Sequence, residues 1–183
     1  MNSNIIDFKF TADNLVKAQK IIKNYPENRQ RSAVLALLDL AQRQIGYLSR
    51  PAIEYVAQFL DMPFIRAYEI ATFYTMFNLQ PVGKYHIQVC GTTPCWLRGS
   101  DQIMKTCEEK LAIKCGDLSS DKEFSLTEVE CLGACVNAPI VQINDEYFED
   151  LTPEIMAQLI EKMKNNQPIQ RGSQVGRNGS APK

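Results

Sequence analysis

The sequence predicts a two-part α+β chain, a helical bundle followed by a small α/β sandwich, with a polar tail. Three observations predict it. The first 80 residues carry apolar residues at helical spacing with short connections. Residues 81–165 read in the order β-α-β-β-α. With 183 residues, 45% apolar and 22% charged, the chain can bury a core without covalent staples.

In the bundle, Ala12–Asn24 places Leu15, Ala18, Ile21 and Ile22 on one face, with Thr11 as N-cap and Pro26 past its end. Arg31–Ile45 carries a broad stripe of Val34, Leu35, Leu37, Leu38 and Ala41 and stops at Gly46. A third helix starts at Ser49, with Pro51 in its first turn, and runs to about Leu60. A fourth opens at Pro63 and extends to about Phe77. Its aromatic run of Tyr68, Phe73, Tyr74 and Phe77 reads mainly as bundle core, with some left for an interface.

Pro81, Val82 and Gly83 end the helical pattern. Tyr85–Cys90 then reads as a strand with Ile87 and Val89 on one face, Ser100–Ala112 as a helix and Phe124–Cys131 as a second strand. Pro139–Ile143 and Glu146–Phe148 flank the turn Asn144-Asp145. Thr152 caps a last helix to Lys164, with Pro153 at its first position. These elements define parts 1–80, 81–165 and 166–183. The tail has almost no apolar residues, so on composition alone it should be disordered.

The net charge of −1 is spread unevenly, with +2 on residues 1–80, −6 on 81–165 and +3 on 166–183. A general nucleic-acid binder needs a basic excess, which is missing. No apolar run approaches the roughly 18 residues of a membrane span. Residues 1–10 have neither the apolar region of a secretory signal nor the arginines of a transit peptide, so a cytosolic chain is expected. No G-x-G-x-x-G or G-K-[ST] loop marks a nucleotide site.

All six cysteines lie in the acidic part. In a reducing compartment, closely spaced loop cysteines point to metal or redox chemistry. Cys90 and Cys95 form a C-x4-C pair; Cys131 and Cys135 form a C-x3-C pair. Each pair begins at a predicted strand end, with a helix between the strands. If that unit is a right-handed crossover, the strands are parallel and both loops leave the same sheet edge. Four thiolates could then meet. Structural zinc favours tight C-x2-C turns, whereas wider loops suit an iron–sulfur cluster. Zinc and dithiol chemistry remain alternatives on spacing alone, although without a C-x-x-C, thioredoxin-type exchange is disfavoured. Cys107 sits at helical spacing with Ile103 and Met104 and reads as a core thiol; Cys115 has no strand edge behind it. His86, the one histidine, reads as structural and excludes a two-histidine Rieske centre. Trp96 and Leu97 directly follow Cys95 and could shield a cluster or meet a partner. The surrounding negative charge should lower the reduction potential of anything the cysteines hold.

Four segments, Ala71-Thr-Phe-Tyr-Thr-Met-Phe-Asn78, Pro81-Val-Gly-Lys84, Val89-Cys-Gly-Thr-Thr-Pro-Cys95 and Glu128-Val-Glu-Cys-Leu-Gly-Ala-Cys135, closely resemble the 24 kDa subunit family of NADH:quinone oxidoreductase, respiratory complex I. The resemblance covers roughly residues 11–165, and the tail resembles the family's C-terminal extension. It implies a thioredoxin-like ferredoxin domain behind a helical domain, with one [2Fe–2S] cluster on Cys90, Cys95, Cys131 and Cys135. It also implies a partner, the 51 kDa subunit that carries FMN and NADH. The chain itself would transfer electrons and perform no bond chemistry. A diaphorase subunit of an NAD-linked hydrogenase or formate dehydrogenase is the neighbouring reading. A zinc-stabilised binding module with four cysteine ligands is the reading from another class. The expected location is the cytoplasmic face of a bacterial inner membrane, peripheral through the complex, without a span or nucleic-acid contact.

Overall fold

The computed structural model describes residues 8–177, and the chain divides into two compact units after Pro81. The first unit holds four helices: α1 (Ala12–Ile22), α2 (Val34–Ile45), α3 (Arg50–Phe59) and α4 (Phe64–Phe73). Local chemistry sets their ends. The Thr11 and Ser49 hydroxyls accept the N–H groups of Asn14 and Ala52, each at 3.3 Å. Gly46 ends α2 at φ +87°, a conformation glycine adopts without steric cost. Ala33, Leu37, Leu38, Ala41, Ala52, Ile53 and Val56 form the unit's core, and Phe8 and Phe10 cross Tyr55 edge-to-face.

Two expectations for this unit need correction. The fourth helix ends at Phe73, four residues before Phe77. Tyr74 is extended, the Asn78 N–H donates to Gln42 Oε1 at 2.7 Å, and the Leu48 N–H donates to the Asn78 carbonyl at 2.7 Å. These tertiary hydrogen bonds displace the next helical turn. Of the aromatic run, only Phe77 is buried; Phe73 is 76% exposed, and Tyr68 and Tyr74 are also exposed. The run is a surface feature more than a core.

The second unit is a five-stranded sheet in the order β2-β1-β3-β4-β5. Its strands are β1 (Tyr85–Cys90), β2 (Phe124–Val129), β3 (Val141–Ile143), β4 (Glu146–Glu149) and β5 (Gly172–Ser173). β1 and β2 run parallel, as a crossover requires, with Cys90 opposite Val129. β3 runs antiparallel to both β1 and β4. A five-residue helix, α5 (Thr93–Leu97), follows β1 where the sequence predicts only a loop. Five residues are too few to show a helical period. Helices α6 (Ser100–Leu111) and α7 (Pro153–Lys164) share one apolar cluster with the sheet. The cluster joins Ile103 and Cys107 to Met156, Leu159, Ile160 and Met163, and these to Ile87, Val89, Leu126, Val141 and Phe148. The Cys107 thiol is fully buried there.

Gly83 admits the chain to this unit. A Cβ there would come within 2.8 Å of the Phe124 and Ser125 backbone, so no other residue fits without moving β2. The Gly83 N–H donates to Ser125 Oγ at 3.0 Å, and the same oxygen lies 2.8 Å from His86 Nδ1. His86 is therefore half-buried and structural. Its burial lowers its pKa, so the neutral ring is favoured.

The tail departs furthest from expectation. Gly172 and Ser173 add a parallel strand to β4, and Ile169 packs on the sheet's apolar cluster. Arg171 pairs with Glu146 at 2.8 Å, and Arg177 pairs with Asp150. Backbone pairing and two ion pairs supply what the composition lacks. The rest of the tail, residues 178–183, lies outside the described residues. Burial pushes the Asp150 carboxyl up, but the Arg177 guanidinium and Ser173 hydroxyl outweigh it and hold the group below the usual aspartate range. Its contribution is therefore complete above the unfolded value of about 4 and is lost as pH falls through the lower folded value. Amides of 172–177 should exchange faster on acidification through that window, with Asp150→Asn showing no such step.

Candidate metal centre

The cysteine loops leave the sheet side by side because β1 and β2 end in register. The Gly91 N–H donates to the Val129 carbonyl at 3.1 Å, and the Cys90 N–H donates to the Ile140 carbonyl at 3.2 Å. Beyond β1, Thr92 opens α5, Pro94 sits in its first turn, and Cys95 lies inside it. Beyond β2, the chain turns at Gly133, whose φ of +82° suits glycine, and enters a short 3-10 turn at Cys135–Asn137. Cys90 and Cys95 are fully buried against Ala138 and Ile140, with Leu132, Ala134 and Tyr147 packed around them. Cys131 and Cys135 lie on the exposed side.

The four thiols form one connected set. Cys131 Sγ and Cys135 Sγ are 3.5 Å apart, within a few tenths of the about 3.8 Å between two sulfurs placed 2.3 Å from one tetrahedral metal. Thr92 Oγ1 lies 3.3 Å from Cys90 Sγ, and the Gly133 N–H points at Cys131 Sγ from 3.4 Å. Burial raises the Cys90 thiol, but hydrogen bonds from Thr92, the Leu132 N–H and Cys95 reverse the effect, and its net shift is downward. The Gly133 N–H, with Cys135 and Thr92, also lowers Cys131. Burial and the neighbouring Cys90 push Cys95 up to about 12, and Cys131 raises Cys135. In each pair one thiol is pushed down and the other up, so the second thiol of each pair resists ionisation. A positively charged iron pair removes that resistance, because coordinated thiols are deprotonated outright. The donor set therefore fits a two-iron group. Among the described residues, no three Cys, His, Asp or Glu side chains are placed to hold a single metal ion.

The remaining candidates stand apart. Cys107 is in the helix-covered core, and Cys115 is exposed, its N–H donating to Glu108 Oε1 at 3.2 Å. Trp96 and Leu97 are 60% and 70% exposed, with Val136 also exposed beside Cys135. Tyr147 escapes sequence reasoning altogether. Its hydroxyl donates to the Leu132 carbonyl at 2.8 Å and fixes the turn between Cys131 and Cys135. A tyrosine alternating in a strand gives no sign of that role.

Comparison with known proteins gives consistent results. Residues 18–164 match the family model described as thioredoxin-like [2Fe-2S] ferredoxin. The chain is 66% identical over 167 residues to the NADH-quinone oxidoreductase E subunit of Rickettsia bellii, covering 91% of this chain and 100% of that protein. It is 49% identical over 177 residues to the mitochondrial NADH dehydrogenase [ubiquinone] flavoprotein 2 of Dictyostelium discoideum, covering 96% of this chain and 72% of that protein. An NAD+-reducing [NiFe]-hydrogenase in the H2-reduced state superposes with a TM-score of 0.64 at 22% identity, over 72% of this chain and 23% of the hydrogenase chain. At that identity the likeness concerns the fold alone.

Proposed function

The chain belongs to the thioredoxin-like [2Fe–2S] ferredoxin family, with the NADH-quinone oxidoreductase E subunits as its relatives, and from that premise we propose that Cys90, Cys95, Cys131 and Cys135 hold its cluster. One observation carries the assignment: the two thiol pairs stand at the paired ends of parallel β1 and β2, with the Thr92 hydroxyl beside Cys90 Sγ and the Gly133 N–H aimed at Cys131 Sγ. The chain carries one [2Fe–2S] cluster and serves as an electron-transfer subunit of an NADH-quinone oxidoreductase. When bound, the cluster accepts and returns one electron. The protein's own work is to hold the sulfurs, bury one pair and direct N–H and hydroxyl groups at the thiolates. Hydride chemistry belongs to the flavin of another subunit.

The partner we propose is the 51 kDa subunit that binds FMN and NADH. Trp96, Leu97 and Val136 are exposed apolar side chains immediately beside Cys95 and Cys135, so a partner seated on them would cover the exposed thiols. No helix among the described residues is long and apolar enough to cross a membrane. We place the subunit on the cytoplasmic face of a bacterial inner membrane, attached through the complex. Trp96→Ala should weaken binding to the flavin subunit by about 2 kcal/mol or more, the loss typical of a buried aromatic anchor, without changing the cluster's absorption. Titration of the holo chain against the flavin subunit measures it. Unchanged affinity would remove this surface from the interface.

A further inference from the structure

The exposed pair of thiols sits on a segment with little regular structure of its own. Between Glu130 and Asn137 the one defined element is the turn Cys135–Asn137. Besides the Tyr147 hydroxyl at the Leu132 carbonyl, that segment is held from outside at two consecutive carbonyls. The Asp150 N–H donates to the Asn137 carbonyl at 2.7 Å, and Arg177 Nη2 donates to the Val136 carbonyl at 2.8 Å.

Both donors belong to one ion pair. Arg177 Nε donates to Asp150 Oδ2 at 3.2 Å, and Nη2 reaches Asp150 Oδ1 as well. The Asp150 side chain is only 7% exposed, which strengthens a charge-assisted, two-pronged contact. Ser173 completes the device. Its hydroxyl donates to Asp150 Oδ2 at 2.6 Å, while its oxygen accepts the Arg177 N–H at 3.0 Å and the Val175 N–H at 3.3 Å. The tail thus folds into a strap that turns the guanidinium back toward the loop. Asp150 therefore joins the strap to the second cysteine loop.

The arrangement is more specific than a general edge contact. The strap's other ion pair joins Arg171 to Glu146 at the start of β4. Among the described residues, only Arg177 spans from the strap to the carbonyl next to Cys135. We propose that Arg177, through its pair with Asp150, is a positioning residue for the metal centre: it holds the Val136 carbonyl and so fixes where Cys131 and Cys135 present their sulfurs.

This inference rests on those two cysteines being ligands. The test uses the full chain loaded with its cluster and reads two things, the rate of iron release to a chelator and the electron paramagnetic resonance of the reduced protein. Arg177→Ala and Asp150→Asn should each release iron about tenfold faster, as expected for losing a charge-assisted hydrogen bond that closes a loop. Each should also change the spectrum. Arg177→Lys, which keeps one charged donor, should recover most of both. Arg171→Ala should match wild type. Wild-type release and spectrum in Arg177→Ala would overturn the proposal, as would equal acceleration in Arg171→Ala. Opposite shifts of potential in Arg177→Ala and Asp150→Asn, with release unchanged, would reduce the pair to a charge effect and also overturn it. Cys135→Ala separates the premise: if that variant keeps the wild-type spectrum, the ligand assignment fails; if it loses the spectrum while Arg177→Ala is silent, only the positioning role fails.

Discussion

Cys95→Ala should yield a folded chain without a stable [2Fe–2S] cluster. The Cys95 sulfur is fully buried in contact with Cys90, so no solvent ligand can take its place. A cluster missing one thiolate keeps an open iron site and is lost or badly destabilised. The same result is expected for Cys90, Cys131 and Cys135. Loss should be slower at Cys131 and Cys135, where exposure lets water substitute briefly. Cys107→Ala is the contrasting case. Its sulfur packs among Ile103, Leu159 and Ile160, so the expected cost is about 1 kcal/mol of stability with the cluster retained. Cys115→Ala should cost less. Visible absorption and iron content of the six single variants read all of these outcomes together, and a Cys115 variant that lost the cluster while the Cys135 variant kept it would contradict the assignment.

The second large effect belongs to the sheet that carries the centre. Phe148 is almost completely buried in β4, opposite Val141 on β3 and Gly172 on β5. Phe148→Ala should destabilise the unit by about 3–5 kcal/mol, the range for deleting a buried phenyl ring. Domains of this size have only about 5–15 kcal/mol in total. Denaturant unfolding followed by tyrosine fluorescence and cluster absorption together should show both signals shifting to lower denaturant. A shift below about 1 kcal/mol would mean that the ring's neighbours collapse into the space it leaves.

The sequence makes some of this architecture readable and hides the rest for physical reasons. The parallel pairing of β1 and β2 is readable because Ile87 and Val89 alternate with polar residues and because a helix separates two strands ending in cysteines. N-caps at Thr11, Ser49 and Thr152 are readable because a hydroxyl before an apolar periodic run has one local use, and each accepts an N–H three residues on. The strap is not readable. Its main polar contact joins Arg177 to Asp150, 27 positions earlier, and composition records neither partner's position. The end of α4 is also hidden, because Gln42 and Leu48, distant in sequence, take the hydrogen bonds a further turn would have used. The exposed ring of Phe73 is hidden because an aromatic residue in a helix reads as core, whereas α4 buries Ala67 and Ala71 and leaves Phe73 exposed.

Both thiol pairs are placed by backbone pairing, while N–H and hydroxyl donors lower the proton affinities of Cys90 and Cys131, and burial and neighbouring thiols raise those of Cys95 and Cys135. The role we propose for this arrangement is to hold one two-iron cluster. Iron and acid-labile sulfide assayed on anaerobically purified wild-type chain test that most directly. Two irons and two sulfides per chain are expected, with a one-electron paramagnetic signal on reduction. One zinc per chain and no labile sulfide would contradict the account.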